Sequence, residues 1–579
     1  MQSNTIKLLS VIAGSAVLLS SCDGLGKMIK KQDQISYTVT PNPVEEKADS
    51  VAFNISGKYP AKFFAKKAVV TITPVMKYAG GGEKTFEPVT LLGEKATGNG
   101  QKIAYDAGGT FSKTLNAVYE AGMKNCTVEL RAVGNKSGST KTKSFKDVKM
   151  ADGTIITPLL VRNDEKGIFA KDAFTKTVPM NQTTHIFYTI NQSNVRSGEM
   201  TSEEMKAVDK FVKENINSAW YEFKGVNVSA YASPDGETDK NTNLAGDRAK
   251  SATSAMEGMF KRDKKSKFGK EKSNYTTGTT KEDWEGFKAA MEKSTMKDRD
   301  LVLRVLTMYS DPDQRRKEIK NLAATYKELA EEILPKLRRA EITIMVDKKS
   351  RTDEMISRLA TSHPDSLNVE ELLYAGTLTN DVNTKVTIYQ NAEKQFGADW
   401  RTSNNLGVAY LMNNKVDDAK AAFERAAKNA ADNATVANNM GIIYAKAGDR
   451  KTAMDYYNKA GSAGAEVNYN KGIMNVRDGK YSDAVTNFGS YKGFNLALAQ
   501  LLNGNPESVN TTIDASSEKD MAMSDYLKAV AAARKGDATN GLAFLKTAIG
   551  KDASLKAAAK EDCEFIKWRS NADFTSLTN

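Results

Sequence analysis

The sequence has 579 residues, more than one hydrophobic core supports, so three or more domains are expected. With 40% hydrophobic and 27% charged residues it is typical of globular protein, and its formal net charge is +12. Basic clusters such as residues 261–267 suit anionic lipid, acidic cell-wall polymer or nucleic acid, or form an ordinary solvated face. Two histidines and three cysteines leave little for a zinc site or a histidine-based triad. No metal, cofactor or enzymatic activity is predicted, although scattered carboxylate pairs of the glycosidase kind stay open.

The first 21 residues have the three parts of an export signal. A short polar start ends at Lys7, an apolar run follows over residues 8–19, and two serines precede Cys22. This run is shorter than the roughly 20 residues of a transmembrane helix, and no later stretch is long and apolar enough to be one. Residues 1–21 are therefore predicted to be a cleaved signal peptide. An exported protein is not expected to bind nucleic acid.

The residues just before the cleavage point carry a further signal. The segment Leu-Ser-Ser-Cys over 19–22 resembles the bacterial lipobox. The resemblance implies diacylglycerol on the sulfur of Cys22, cleavage before Cys22, and acylation of the new amino group by chains such as palmitate. Each buried CH₂ contributes roughly 0.8 kcal/mol, so several chains anchor a protein stably. The alternative is an ordinary secretory signal with a chance cysteine. Residues 22–34 are predicted to be the lipidated tether.

Residues 35–180 have the pattern of β-strands. Stretches such as 36–40 and 68–73 alternate and are rich in β-branched residues. Glycine- and proline-rich turn signals separate them, for example at 41–43, 80–82 and 98–100. This pattern predicts a β-sandwich-like region, or alternatively two small β modules.

Residues 181–348 change character and predict an α+β domain. Strand patterns occur at 184–190, 226–232 and 340–346, and helical patterns lie between them at 205–216 and 241–259. An insertion over about 262–335 carries two further helical patterns, the second ended by Pro335. The inserted helices either cover a ligand groove or form a partner surface, and the sequence leaves both interpretations open.

Two segments in this domain carry a family resemblance. Residues 241–249 are Asn-Thr-Asn-Leu-Ala-Gly-Asp-Arg-Ala, and residues 337–341 are Leu-Arg-Arg-Ala-Glu. With the β-α-β-α-β order, they resemble the OmpA-like peptidoglycan-binding domain and its motifs Asn-x-x-Leu-Ser-x-x-Arg-Ala and Asn-Arg-Arg-Val-Glu. This chain departs from the motifs at Ala245, which replaces the serine, and at Leu337, which replaces the asparagine.

The resemblance implies a site for the diaminopimelate of the peptidoglycan stem peptide. In the family an aspartate holds the ammonium of this zwitterion and an arginine holds its carboxylate. Arg248 stands at the arginine position, with Asn241 and Leu244 in the same motif. The aspartate position falls on Ser233, so Asp235, two residues on, supplies the charge only if the turn is rearranged. The alternative is a structural or docking module that does not bind the cell wall.

Residues 349–366 are predicted to be a linker, and residues 367–579 to be an all-α solenoid. Asn-Asn-Leu-Gly at 404–407 recurs as Asn-Asn-Met-Gly at 438–441, a spacing of 34 residues. That period, followed by alanines and the aromatics Phe423 and Tyr457, resembles tetratricopeptide repeats. Weaker copies lie near Asn470 and Asp525. The resemblance implies a groove that holds a protein segment, and the alternative is a mere spacer.

The predicted fold class is therefore a multidomain chain with a β-sandwich-like region, an α+β OmpA-like domain and an all-α repeat solenoid. Two buried free thiols are preferred over a disulfide between Cys126 and Cys563. The combination resembles envelope lipoproteins of the Bacteroidota. It predicts an outer-membrane lipoprotein scaffold, facing the periplasm, that contacts peptidoglycan and recruits a protein partner. The alternatives are a subunit of an envelope assembly or secretion complex, and a surface-exposed binding lipoprotein.

Overall fold

The computed structural model describes residues 24–489 and 491–579. The predicted signal peptide and Cys22 lie outside the described residues, so lipid attachment stays a prediction. The described chain forms two compact units, one from residues 24–170 together with 396–579 and the other from residues 171–395. Nowhere in the described ranges is a helix both long and apolar enough to cross a bilayer.

The N-terminal region begins with a short helix and continues as strands in two sheets. The elements are α1 (Gly24–Lys30), β1 (Ser36–Thr40), β2 (Val44–Lys47), β3 (Ser50–Tyr59), β4 (Ala68–Tyr78), β5 (Glu83–Thr85), β6 (Val89–Gly93), β7 (Gln101–Ile103), β8 (Gly109–Val118), β9 (Cys126–Lys136), β10 (Thr142–Ser144), β11 (Val148–Asp152) and β12 (Thr154–Ile155). One sheet has the order β1-β3-β2-β12, with β8 also paired to β3. The other has the order β10-β9-β4-β6-β7, with β11 on β9 and β5 on β4.

Both sheets bury alternate side chains in one shared core. Successive side chains of a strand point to opposite faces, so the inward set of each strand is apolar. Phe53 and Ile55 from β3 lie in the same core as Ile72 from β4 and Leu130 from β9. The predicted β-rich region is confirmed, and the shared core joins the two sheets in a single body.

The second unit contains a four-stranded sheet with helices on one face. Its elements are β13 (Thr177–Phe187), α2 (Glu203–Asn215), β14 (Tyr221–Tyr231), α3 (Thr238–Lys261), β15 (Tyr275–Thr280) and β16 (Arg339–Lys349). The order is β13-β16-β14-β15, in which only β14 and β15 run parallel. Val208 and Val212 of α2 share a core with Met256 of α3 and Ile342 of β16.

The inserted segment differs from the prediction at its start. Residues 262–335 are predicted to be a helical insertion, but Tyr275–Thr280 within it forms β15 and extends the sheet. This segment is rich in threonine and has no helical apolar stripe, and its pairing to β14 depends on contacts distant in sequence. The helical part follows as α4 (Trp284–Glu292), α5 (Arg299–Met308), α6 (Pro312–Asn321), α7 (Ala323–Glu332) and α8 (Leu334–Leu337), around its own core.

The predicted linker over 349–366 also differs from the structure. Most of it forms α9 (Asp353–Ser362), whose first turn is capped by the Thr352 hydroxyl accepting from the Met355 N–H. Two more helices follow, α10 (Val369–Ala375) and α11 (Val382–Phe396). Helices α9 and α10, and α11 up to Gln395, belong to the second unit, so the solenoid predicted from residue 367 is divided between the units.

The remaining helices form antiparallel pairs in the first unit, ending in a short cap. They are α12 (Trp400–Met412), α13 (Val416–Asn429), α14 (Ala434–Lys446), α15 (Arg450–Lys459), α16 (Ala465–Arg477), α17 (Tyr481–Phe488), α18 (Phe494–Leu502), α19 (Ser508–Asp514), α20 (Ala522–Lys535), α21 (Ala538–Lys551), α22 (Leu555–Glu561) and α23 (Ala572–Thr578). The weaker copies near Asn470 and Asp525 correspond to α16–α17 and α20–α21. The pair α18–α19 was not singled out from the sequence.

A glycine-to-aromatic contact closes three of these pairs. A β-carbon added to Gly407 would lie 2.4 Å from the Phe423 ring. The same construction at Gly441 meets Tyr457 at 2.6 Å, and at Gly472 it meets the ring of Phe488, also at 2.6 Å. A larger residue would push the helices apart, which explains why the small residue and the aromatic recur together. The predicted tetratricopeptide-type repeats are confirmed.

The two cysteines lie on either side of one short segment in the first unit. Both are buried free thiols, as preferred from the sequence. The Cys126 sulfur lies 3.7 Å from the Thr154 hydroxyl, and the Cys563 sulfur lies 3.8 Å from the Asp152 carbonyl oxygen. The β-rich region and the end of the repeats are therefore in direct contact.

Candidate functional site: the repeat groove and its strap

The face formed by the first helices of the repeat pairs is occupied by the chain itself. Residues 161–170, called the strap below, run along α12, α14, α16 and α18 without forming a helix or a strand. The strap connects the β-rich region to the second unit. The groove that the sequence assigns to a protein partner therefore contains a peptide from this same chain.

Four asparagines hold the strap by its backbone and are called the asparagine ladder below. Each accepts a hydrogen bond from the N–H of one strap residue and donates one to the carbonyl oxygen of the same residue. One side-chain amide offers both a donor and an acceptor, so it replaces a neighbouring β-strand at that position. The pairs, with the accepted and donated distances, are Asn495 with Arg162 (2.9 and 3.0 Å), Asn470 with Lys166 (2.7 and 3.0 Å), Asn439 with Ile168 (2.9 and 2.9 Å) and Asn405 with Ala170 (2.6 and 3.0 Å).

Two more asparagines connect the ladder into one network. Asn404 donates to the Ile168 carbonyl and to the side chain of Asn405. Asn438 donates to the Lys166 carbonyl and to the side chain of Asn439. All six amides are at most 2% exposed. Burying an amide is unfavourable unless its hydrogen bonds are made, so the network stabilises the groove only while the strap is present.

Side chains of the strap also have specific partners. The Glu165 side chain is 2% exposed and lies 3.3 Å from the ammonium of Lys446. The Lys166 ammonium lies 4.4 Å from the centre of the Tyr469 ring, a cation–π distance. The hydroxyl of Tyr469 donates to Asp164 at 2.8 Å. Burial, reinforced by that carboxylate, raises the pKa of Tyr469, so the phenol stays a neutral donor.

The middle of the strap passes very close to a helix. A β-carbon added to Gly167 would lie 3.1 Å from Cγ1 of Val408 and 3.4 Å from its Cγ2. These are tight distances for a carbon atom, and any longer side chain would need Val408 to move. Gly167 therefore sets how deeply the strap lies in the groove.

The β-rich region contacts the repeats at further points besides the strap. Thr157, just before the strap, donates to Glu564 at 2.5 Å, and that carboxylate also pairs with Arg534. The Lys124 ammonium lies 2.9 Å from Glu561. These contacts, with the strap, hold residues 24–170 and the repeats together as one body.

Arg248, predicted to bind a carboxylate, is buried and directed at the backbone. Its side chain is among the largest fully buried ones, with the residue 1% exposed. The guanidinium donates to three carbonyl oxygens, those of Gln192 (3.0 Å), Tyr231 (2.9 Å) and Thr189 (3.3 Å). Burial lowers the pKa of Arg248 to about 10. In this arrangement Arg248 joins the ends of loops and strands inside the domain.

Three of the other predicted residues gather around Arg338. Asp235 lies 3.5 Å from the Arg338 guanidinium, and Arg338 Nε donates to the Ser233 hydroxyl at 3.3 Å. Asn241 donates to the backbone carbonyl of Ser233 at 2.9 Å. Leu244 is half-buried on α3. Asp235, which the resemblance assigns to the ligand's ammonium if the turn is rearranged, is thus paired with the guanidinium of Arg338.

The inserted helices cover this cluster. Pro234 and Asp235 line a small cavity of about 20 Å³ whose other walls come from the insertion. Trp284, Phe287 and Tyr326 are among these walls. One oxygen of Asp235 is buried there without a hydrogen-bond partner. The inserted helices therefore pack over Asp235, and their role as the cover of a ligand groove or as a partner surface stays a prediction.

The residues that the sequence analysis missed are the strap and its asparagines. Asn404–Asn405 and Asn438–Asn439 enter the sequence interpretation only as part of the repeat motif, although two adjacent amides at the same place in two repeats suggest backbone binding. Within the described ranges no group of three or more His, Cys, Asp or Glu side chains is placed to hold a metal ion.

The chain is similar to several solved structures. No protein-family model matches it, and no curated protein does. Similar solved structures include PilW, described as a widely conserved type IV pilus biogenesis factor, with 16% identity over 40% of this chain and 100% of that chain (TM-score 0.28). YrrB, a TPR protein with an unusual peptide-binding site, has 16% identity over 35% and 94% (0.21). A tetratricopeptide repeat protein from Parabacteroides merdae has 13% identity over 39% and 91% (0.28).

Proposed function

We propose that this protein is a membrane-anchored scaffold in which the repeats act as an internal clamp on the strap. The observation that carries the proposal is the asparagine ladder, which bonds both backbone groups of four strap residues. A clamp of this kind makes the β-rich region and the repeats one rigid body. A scaffold needs such rigidity to present other surfaces to its partners.

The energetics favour a clamp that is closed at rest. Each buried hydrogen bond contributes about 0.5–1.5 kcal/mol net, whereas leaving a buried amide unpaired costs about 1–3 kcal/mol. The strap is also covalently attached on both sides, so it rebinds from a high effective concentration, in the millimolar range for short flexible connections. The empty groove is therefore a minor state.

The clamp is tested by limited proteolysis, because trypsin cuts after Arg162 and Lys166 in the strap. We expect slow cleavage there in the wild-type chain and at least tenfold faster cleavage in an Asn405→Ala, Asn439→Ala double variant. Asn458→Ala is the matched control, since Asn458 is an exposed asparagine on α15. Equal cleavage rates in the wild type and the double variant would contradict the proposed clamp.

We further propose that lipid on Cys22 anchors the scaffold to the outer membrane, with the folded units in the periplasm. The support is the signal-like pattern of residues 1–21 and the segment ending at Cys22. Labelling cells with an alkyne analogue of palmitate should mark the wild type and Ser21→Ala, which keeps a small residue before the cysteine. Cys22→Ser should lose the label and leave the outer-membrane fraction. A labelled Cys22→Ser protein would contradict the anchor.

For the second unit, the geometry supports a structural or docking module better than a peptidoglycan site. Arg248 is engaged by three carbonyl oxygens, and Asp235 pairs with Arg338 beneath the inserted helices. The peptidoglycan contact stays a prediction, tested by sedimenting the lipid-free protein with purified sacculi. Retention in the supernatant, beside a known binder that sediments, would remove it. Protein–protein contact within an envelope assembly would then be the remaining role.

A further inference from the structure

The groove contacts the strap in two ways, through its backbone and through its side chains, and only the side-chain contacts depend on the strap's sequence. The asparagine ladder contacts N–H and carbonyl groups, which every extended peptide without proline at those positions presents. Its contacts fall at residues 162, 166, 168 and 170, always an even number of positions apart. This spacing matches an extended chain, in which alternate residues face the same side. The ladder therefore selects a peptide by its extended backbone conformation and not by its side chains.

Side-chain contacts add selection for chemistry in the middle of the strap. Glu165 is buried against the Lys446 ammonium, and Lys166 lies over the ring of Tyr469. Gly167 fits where a β-carbon would be crowded. Ile168 packs on the repeat core. A peptide that fits this groove therefore carries glutamate, lysine, glycine and an aliphatic residue in that order.

We propose that the groove is a recognition site for an extended segment of a partner protein with the pattern Glu-Lys-Gly-aliphatic, and that the strap is its built-in competitor. The inference rests on the proposed clamp. The groove offers the ammonium of Lys446 to a glutamate and the ring of Tyr469 to a lysine, which favours this charge pattern over an apolar or uniformly acidic peptide. The partner segment and the strap exclude one another because they use the same six amides.

Competition between the strap and a partner segment determines when the groove can bind the partner. The apparent affinity for a partner falls in proportion to the fraction of molecules whose strap is out of the groove. Four asparagines hold the strap by its backbone, so few molecules have an empty groove and a free peptide binds weakly to the wild type. A partner that is already bound elsewhere on the protein presents its segment to the groove at a high effective concentration, and it can therefore displace the strap. The strap thereby restricts the groove to partners that are already docked.

The test uses a labelled synthetic peptide with the sequence of residues 161–170 and the lipid-free chain beginning after Cys22. An open-groove variant replaces Arg162, Lys166, Ile168 and Ala170 by proline, which removes the N–H groups that the ladder accepts from and keeps the connection length. Gly167→Trp is a second route to the open groove. We expect fluorescence anisotropy to show peptide binding to both variants, at least about tenfold tighter than to the wild type. Adding Lys446→Ala or Asn439→Ala should abolish that gain.

Several outcomes would overturn the proposal. Open-groove variants that keep wild-type helix content by circular dichroism, yet bind the peptide no better than a scrambled one, would show that the groove does not recognise it. Equal binding to wild type and variants would show that the strap does not compete. A strap-dependent dimer on gel filtration would assign the groove to a second copy. In each case, a trypsin-protected strap in the wild type would leave the clamp standing.

Discussion

Asn439 on α14 and Ile168 in the strap form a two-way hydrogen-bonded pair, although they are 271 residues apart in the chain. The asparagine accepts from the isoleucine N–H and donates to its carbonyl, both at 2.9 Å. The same amide donates to Asn404, which connects neighbouring repeats. One side chain thus joins the strap to two repeats, and its removal should destabilise the strap and both repeats.

We expect Asn439→Leu to lower the free energy of unfolding of the repeat unit by about 2–4 kcal/mol. Leucine has a similar size but leaves the N–H of Ile168 and the side-chain oxygen of Asn404 without the partner that Asn439 provides, at about 1–3 kcal/mol for each buried polar group. The measurement is the thermal transition of the full chain. Asn458→Leu, at an exposed position, is the control and should change little. A shift of similar size in both variants would contradict the assigned role.

Gly167→Val should loosen the strap through one contact, that with Val408. A β-carbon at residue 167 lies only 3.1 Å from Val408, and overpacking of this kind costs about 1–3 kcal/mol. We expect faster tryptic cleavage in the strap, with recovery in the double variant Gly167→Val, Val408→Ala, where the space is restored. The control is Gly80→Val, because Gly80 has open space around it. No recovery in the double variant would place the effect elsewhere.

The two buried thiols should resist alkylation in the native protein. Burial raises the pKa of Cys563 to about 11 and also raises the pKa of Cys126. At pH 8 only about one Cys563 in a thousand is then the reactive thiolate, compared with about a quarter of thiols in an unfolded chain. N-ethylmaleimide should add almost no mass to the native lipid-free chain and two adducts in urea. Rapid native labelling would contradict the buried positions.

The same pKa shift predicts a loss of stability in alkaline solution. Because the folded thiols have the higher pKa, the unfolded chain binds fewer protons once the pH exceeds about 8.5. The free energy of unfolding should therefore be unaffected by these thiols below that pH and should fall as the pH rises from about 8.5 towards 11. Denaturant titrations of the wild type and Cys563→Ala at pH 7 and pH 10 check this. The alanine variant should lose less stability between the two values.

Arg248→Met should destabilise the second unit rather than act only on ligand binding. The substitution removes three hydrogen bonds to backbone carbonyl oxygens, each worth about 1.5–3 kcal/mol for a charged donor, and we expect a loss of roughly 3–5 kcal/mol. The measurement is the thermal unfolding of the full chain. Arg304→Met replaces an exposed arginine and serves as the control. An unchanged transition combined with lost sedimentation on sacculi would instead support a ligand-binding arginine.

Local patterns in the sequence were sufficient for the β-rich region, the α+β order and the repeats. Alternation predicts strands such as β3 and β4 because each residue's neighbours two positions away share its face. The 34-residue period predicts the repeats because Gly407 and Phe423 contact one another within a single helix pair. In each case the interacting residues are close in sequence.

The tertiary structure alone decided the rest. β15 needs β14 beside it, Arg248 needs the carbonyls of Thr189 and Gln192, and the strap needs asparagines more than 230 residues away. Residues 161–170 have no helical or strand periodicity. Their backbone hydrogen bonds go to side chains of distant helices, and no local pattern in the sequence reveals such partners. A sequence shows which groups require a partner, but which distant group satisfies a backbone N–H or carbonyl depends on how the folded chain brings them together.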